Sequence, residues 1–146
     1  MSVNRHVHKF GGSSLADAGC FKRVAAIVAE HTQAQDLIVV SAAGKTTNRL
    51  INIIELAKQA DNAAADALTG LIEFQSKLVN ELLDEAAAKP ILTALDGEHH
   101  QIASILEGEL TAFTCNEVLS FGERWSARLL AALLSAQDCQ AEWLDS

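Results

Sequence analysis

The sequence contains no tyrosine and a single proline, and only 5% of its residues are aromatic. Basic residues are also scarce, 11 against 19 acidic ones, which gives a formal net charge of -8. No basic stripe of the kind that binds nucleic acid or an anionic membrane surface is present, so neither partner is expected. No run approaches the roughly 20 apolar residues of a membrane span, and no secretory signal is visible. We therefore expect a cytoplasmic protein that holds any anionic ligand with a few local donors.

Cysteine is limited to Cys20, Cys115 and Cys139, an odd number at wide spacing. This pattern excludes a disulfide framework and a C-x-x-C metal or redox motif. We expect reduced and mostly buried thiols. With 146 residues the chain has the size of one domain, which is long enough to bury a sizeable core.

Hydrophobic patterning predicts a β-α-β opening. Residues 3–10 alternate as a strand does, and apolar residues recur at helical spacing from 17 to 33. Asp17 or Ser14 can cap this helix. The aliphatic run 37–40 is typical of a parallel strand that is buried on both faces.

The rest of the chain predicts mostly helices. Four helical segments follow, over 48–59, 61–89, 90–108 and 114–137. Pro90 fits the first turn of its helix, and Gly108 ends it. A third short strand over 140–144 would rejoin the sheet. We therefore predict an α/β fold, a three-layer αβα sandwich whose mainly parallel sheet is incomplete at one edge.

A glycine loop directly follows the first strand. Gly11 and Gly12 let backbone N–H groups crowd around a ligand, and Lys9 and Ser13 flank them. The helix that follows would point its partly positive N-terminus at the same spot. These residues indicate a phosphate site. The same two glycines also fit a tight strand-to-helix turn, and the residues alone leave both interpretations open.

A second loop, residues 41–47, follows the second strand. Its Gly44-Lys45-Thr46 is an incomplete P-loop, because Val39 stands where that motif needs a glycine. Loops at the carboxyl ends of neighbouring parallel strands lie side by side and bind ligands. The hydroxyls of Ser41 and Thr47 suit a carboxylate or a phosphate oxygen. Alternatively, Thr46 or Thr47 simply caps the next helix.

The third segment is Leu119-Ser120-Phe121-Gly122-Glu123-Arg124-Trp125-Ser126-Ala127. A glycine within an apolar helical run indicates a bend or a close approach. Glu123 can point inward as the receptor for an ammonium group. The alternative is a solvated Glu123 paired with Arg124 or Arg128.

Glu98, His99 and His100 are adjacent, and neighbouring residues on a helix point roughly 100° apart. They do not form a good metal site, so we expect a solvated helix face there and no metal site.

Together, three motifs resemble the aspartokinase branch of the amino acid kinase family. They are Lys-Phe-Gly-Gly-Ser-Ser at 9–14, Val-Val-Ser-Ala-Ala-Gly-Lys-Thr-Thr-Asn at 39–48 and the segment 119–127. In detail they look most like the kinase part of the bifunctional aspartokinase/homoserine dehydrogenases. The resemblance implies phosphoryl transfer from ATP, with Mg²⁺, to the β-carboxylate of L-aspartate in amino acid biosynthesis.

The resemblance also implies a role for each motif residue. Lys9 would be the catalytic residue that contacts the transferred phosphoryl group, and backbone and hydroxyl donors beside it would bind phosphate oxygens. Glu123 would take the α-ammonium of aspartate. The phosphate contacts would come from Lys9, Gly11, Gly12 and Ser13, and the aspartate contacts from Ser41, Thr47 and Glu123. Members of this class lead us to expect a homo-oligomer.

The resemblance further implies that the family's later half supplies the nucleotide-binding strands, an arginine for the substrate α-carboxylate and a Gly-Arg-Gly-Gly-Ser-Asp-type loop, none of which occurs in these residues. Residues 1–146 are therefore expected to be the N-terminal, amino-acid-substrate part of the catalytic domain, inactive alone. The rival hypothesis is a non-catalytic anion-binding or assembly module.

Overall fold

The computed structural model describes residues 4–145. In this part of the chain two strands and five α-helices follow one another as β1 (Val7–Phe10), α1 (Ala18–His31), β2 (Leu37–Val40), α2 (Thr46–Lys58), α3 (Ala63–Leu82), α4 (Glu85–Glu107) and α5 (Ala112–Ala136). A four-residue 3-10 turn, Gly12–Leu15, connects β1 to α1. Residue 3, where the predicted first strand begins, lies outside the described residues.

The two strands form a parallel pair, as the β-α-β pattern predicts. Val7 lies opposite Leu37 and Phe10 opposite Val40. The ladder continues past both ends, because Leu37 N donates to His6 O at 2.9 Å and Ser41 N donates to Phe10 O at 3.0 Å. The carboxyl ends of β1 and β2 therefore deliver the two glycine-bearing loops to the same edge.

The sheet is covered on one face within the described residues. Phe10, Ile38 and Val40 pack into the core. The opposite face carries Lys9 together with three exposed apolar side chains, Val7, Leu37 and Val39, which are 65%, 48% and 46% exposed. The prediction that residues 37–40 are buried on both faces is thus wrong for this structure, because no helix of residues 4–145 covers the second face. The α/β class and the parallel sheet are confirmed.

The predicted third strand over 140–144 is wrong: these residues are irregular. Their side chains and carbonyls instead bind α5. Trp143 stacks on the guanidinium of Arg128 at 5.0 Å, and Arg124 Nη2 donates to Asp145 Oδ2 at 3.0 Å. Ser135 Oγ also donates to the Ala141 carbonyl at 3.3 Å. The segment is therefore held by the helix and adds no strand to the sheet.

Capping side chains mark where α1 and α4 begin. Asp17 caps α1 as predicted, accepting from Cys20 N at 2.9 Å. Asp84 caps α4 in the same way, accepting from Ala87 N at 2.9 Å. The helix therefore starts before Pro90, which lies inside α4 instead of in its first turn, and the predicted helix over 61–89 is divided at Leu83 and Asp84. The predicted stop at Gly108 is confirmed.

The helices pack around one apolar core. α3 packs against α2 and α4, and α5 packs against α1, α2 and α4. Phe21 of α1 and Phe121 of α5 are fully buried, and burial of such a ring stabilises a fold by roughly 1.5–3 kcal/mol. The three cysteines are unpaired, as predicted, but each is partly exposed.

Candidate functional site

The glycine loop after β1 packs directly on the second loop. A Cβ on Gly12 would lie 3.4 Å from the Ala42 carbonyl oxygen and 3.6 Å from that of Gly44, so Gly12 lies against the second loop. A Cβ on Gly11 would meet nothing within 4 Å. Gly12 is thus in contact with the second loop, whereas Gly11 faces open space that a ligand can enter.

The N-terminus of α1, which the sequence predicts directly after the glycine loop, does not lie there. Residues 12–15 form the 3-10 turn, closed by Ser14 N donating to Gly11 O at 3.0 Å. α1 begins later, and its N-terminus already binds the Asp17 carboxylate, whose pKa is lowered mainly by the hydrogen bond from the Cys20 backbone. The donors left for a phosphate are those of the turn itself and Lys9.

Lys9 extends from the sheet face that the helices leave uncovered. Its side chain makes no ion pair with any residue from 4 to 145. A lysine so placed is free to approach an anion at the end of β1.

The second loop is fixed by a left-handed glycine. Gly44 has a φ of +53°, and a Cβ there would also lie 3.2 Å from the Ala16 carbonyl oxygen. Gly44 N donates to Leu15 O at 3.0 Å, which ties the second loop to the end of the 3-10 turn. The two loops therefore lie side by side, as their positions after parallel strands predict.

Thr46 and Thr47, the first two residues of α2, lie in different environments. Lys45 is the N-cap and makes no side-chain capping bond, so the alternative in which Thr46 or Thr47 caps the helix is not what the structure shows. Thr46 is fully buried and accepts a hydrogen bond from Gln75 Nε2 at 2.9 Å. Thr47 is exposed, and its hydroxyl bonds to no described residue. The Thr47 hydroxyl is therefore open to solvent.

Gly122 brings α5 against the second loop. A Cβ on Gly122 would lie 2.9 Å from the Ala42 Cβ, which is closer than real Cβ atoms come, and 3.4 Å from Thr46 Cγ2. This is the close approach that the sequence predicts. It places Glu123, the next residue, at the point where α5 meets the loop.

Glu123 is exposed and has no ion-pair partner in the described part of the chain. Glu123 therefore does not point inward and is solvated, as the alternative predicts, but the predicted pairing with Arg124 or Arg128 is absent from residues 4–145, since Arg124 binds Asp145 and Arg128 binds Glu98. Both arginines are thus engaged elsewhere, and the Glu123 carboxylate remains available for a cation.

Sequence reasoning missed two buried polar groups. Gln75 lies on the apolar face of α3, where a single amide among leucines and isoleucines is the signal that could have revealed it. Glu98, expected on a solvated face, is instead buried: it accepts from Trp125 Nε1 at 2.9 Å and from Arg128. Residues 4–145 contain no group of three or more side chains placed to hold a metal ion.

The packing therefore unites three motifs: a glycine loop with a free lysine, a hydroxyl-bearing loop, and a helix that offers a free carboxylate. The amino acid kinase family profile matches residues 4–146, and the chain belongs to the amino acid kinase family. It is similar to the bifunctional aspartokinase/homoserine dehydrogenase 2 of Escherichia coli (strain K12), with 42% identity over 142 residues, 97% of this chain and 18% of that protein.

Solved structures agree with the sequence match. Aspartokinase III of E. coli in complex with aspartate and ADP superposes with a TM-score of 0.82 at 26% identity, over 97% of this chain and 31% of that one. The same enzyme in complex with lysine and aspartate gives a TM-score of 0.80 at 27% identity, over 95% of this chain and 31% of that one. The chain thus has an aspartokinase-like fold and spans less than a third of the length of these relatives. No helix among residues 4–145 is long and apolar enough to cross a membrane.

Proposed function

We propose that residues 1–146 form the amino-acid-substrate part of an aspartokinase catalytic domain, which transfers the γ-phosphoryl group of ATP to the β-carboxylate of L-aspartate. The observation that carries this proposal is the packing of Gly12 and Gly122 against the loop over 41–47. That packing joins the three motifs on which a phosphate and an amino acid would both depend.

The aspartate would bind through its two non-reacting polar groups and its reacting carboxylate. Glu123, exposed and unpaired within the described residues, attracts the α-ammonium. Ser41 and Thr47 donate hydroxyl hydrogen bonds to carboxylate oxygens. Three contacts of this kind fix the orientation of a small substrate, and orientation is the main requirement of phosphoryl transfer.

The chemistry needs no general base from this chain, since the attacking β-carboxylate is already ionised at neutral pH. Its oxygen forms a bond to the γ-phosphorus as the bond to the β,γ-bridging oxygen breaks, which gives an acyl phosphate and ADP. Lys9 stabilises the charge on the transferred phosphoryl oxygens, and the N–H groups of Gly11 and Gly12 with the Ser13 hydroxyl donate to phosphate.

Mg²⁺ would accompany the nucleotide. The described residues offer no carboxylate cluster for it, and magnesium in such sites is commonly held through substrate phosphates with several waters. When bound, it neutralises phosphate charge.

Binding measurements on the chain test the aspartate assignment. We expect Glu123→Gln to weaken L-aspartate binding in a calorimetric or NMR titration, and to leave binding of succinate, which lacks the ammonium, unchanged. Glu142→Gln, another exposed glutamate, is the matched control. Equal weakening of both ligands, or no binding of L-aspartate by the unaltered chain, would contradict the proposal.

An assembly module remains the rival function, because the uncovered sheet face is apolar. It predicts binding of inorganic phosphate at the glycine loop with no response to L-aspartate. The same titrations separate the two. A homo-oligomer and a cytoplasmic location stay predictions of the sequence.

A further inference from the structure

We infer that Gln75 of α3 is a positioning residue for the second loop, residues 41–47, and for the first turn of α2. The inference rests on the proposed function, because it concerns how Thr47 and Glu123 are held in place. Gln75 is 2% exposed, and its Nε2 donates to Thr46 Oγ1 at 2.9 Å. Gln75 itself faces the loop from behind and is not placed among the ligand contacts.

Gln75 is a polar residue on an otherwise apolar face of α3. The buried residues of α3 around it are apolar: Leu68, Leu71, Ile72, Leu78 and Val79. A buried amide lowers stability unless it is hydrogen-bonded, whereas a leucine would satisfy packing at the same place. The partner that Gln75 has is the hydroxyl of Thr46, so its polar group acts on the loop.

Thr46 transmits this contact to both halves of the site. Its hydroxyl is held by Gln75, and its methyl group lies 3.4 Å from where a Cβ of Gly122 would stand. Its N–H also donates to Ala43 O at 3.0 Å. A β-branched side chain engaged at both branches keeps one χ1 rotamer, so Thr46 locks the first turn of α2 against α5. Thr47 follows on the first element and Glu123 lies on the second.

The neighbouring residue on α3 supports the same loop at another point. The ring of Phe74 lies 3.7 Å from the position of a Cβ on Gly44. The guanidinium of Arg49 stacks over that ring at 5.6 Å. α3 therefore underlies the loop at Gly44 through Phe74 and at Thr46 through Gln75, and only the second contact is directional.

The test compares Gln75→Leu and Thr46→Val with Leu78→Ala, a variant one turn along α3 that removes buried apolar surface and no hydrogen bond to the loop. In Gln75→Leu we expect the Thr46 side-chain couplings measured by NMR to report rotamer averaging. We expect hydrogen exchange at the Thr46 N–H to be faster by about tenfold, and L-aspartate binding to be about tenfold weaker, the equivalent of one buried hydrogen bond.

The remaining variants make the outcome decisive. Thr46→Val should weaken L-aspartate binding as much as Gln75→Leu does, and the double variant should be little worse than either single one. Leu78→Ala should lower stability and leave the Thr46 rotamer unchanged. If Gln75→Leu leaves both the rotamer and the exchange rate unchanged, or if Leu78→Ala alters them equally, the inference is overturned.

The two proposals fail separately. If the unaltered chain does not bind L-aspartate, the proposed function fails, while the rotamer and exchange measurements still decide the role of Gln75. If Gln75→Leu does not fold, Thr46→Val supplies the exchange measurement at residue 46, and an unchanged rate there contradicts the inference.

Discussion

Gly122 packs so closely on Ala42 that a Cβ added to Gly122 would lie only 2.9 Å from the Cβ of Ala42. The approach of α5 to the loop after β2 thus depends on one hydrogen atom in place of a methyl group. Interiors are close-packed, so an added methyl group there must displace the loop or the helix.

Gly122→Ala should therefore destabilise the chain by about 1–3 kcal/mol, despite the higher helix propensity of alanine. Gly97→Ala is the matched control, since Gly97 also lies inside a helix and a Cβ there meets nothing within 4 Å. That variant should stabilise by about 0.5–1 kcal/mol. Urea unfolding of both variants measures the contrast, and equal shifts of the same sign would contradict it.

Asp36 links stability to pH at the start of β2. It accepts hydrogen bonds from Gln33 N and His6 N and lies 3.1 Å from His8 Nε2, and these groups lower its pKa from 3.8 to about 2. Because the folded-state pKa is depressed, this stabilisation is complete above the unfolded pKa of 3.8 and is lost as the pH falls towards 2.

We expect Asp36→Asn to be less stable than the unaltered chain at neutral pH, and the difference to narrow as the pH falls from about 4 to about 2. Asp66→Asn, at an exposed position on α3, is the control. Urea midpoints at a series of pH values measure both. A difference that stays constant across this range would show that the carboxylate charge of Asp36 is not responsible.

The Glu98–Arg128 ion pair holds α4 to α5. Both side chains are largely buried, at 12% and 13% exposure. Arg128→Met leaves the Glu98 carboxylate with Trp125 as its remaining described partner, and breaking such a pair costs about 3–5 kcal/mol. Glu98→Gln combined with Arg128→Met should recover part of this loss, because the uncompensated charge is removed. Thermal unfolding of the single and double variants measures the loss of stability and its recovery. A double variant less stable than Arg128→Met would contradict the expected recovery.

The chain alone should show no aspartokinase turnover. Phosphoryl transfer requires the donor to be fixed in line with the acceptor, and this positioning can supply about 7–11 kcal/mol of the barrier. Release of ADP from MgATP with L-aspartate measures turnover, with Lys9→Ala as the control. Turnover that Lys9→Ala abolishes would disprove this prediction, and would at the same time support the role of Lys9.

The uncovered sheet face should make the chain associate with itself. Val39 is 46% exposed beside Leu37 and Val7, and apolar strands left open are templates for association. Val39→Lys should shift sedimentation towards the monomer. Ile51→Lys, at a similarly exposed position on α2, should have no such effect. A chain that is monomeric without any substitution would refute the prediction.

Local sequence signals predicted most of this arrangement, and packing decided the rest. The glycines at 11, 12, 44 and 122, the Asp17 cap and the β-α-β order could all be read because each reflects backbone geometry. The irregular conformation of residues 140–144 could not be predicted, because Trp143 and Asp145 contact residues of α5 that are distant in sequence. The burial of Gln75 and Glu98 was not predicted for the same reason. The buried partner of a polar residue in a helix is determined only when the helices pack together.

Lys9 shares its sheet face with Val7, Leu37 and Val39. Whatever packs against these three apolar side chains also removes water from around the lysine. An ammonium in a drier setting attracts phosphate more strongly than one in open solvent. Covering this face would therefore also strengthen the proposed phosphate site, so that assembly of the domain and anion binding at Lys9 would be coupled.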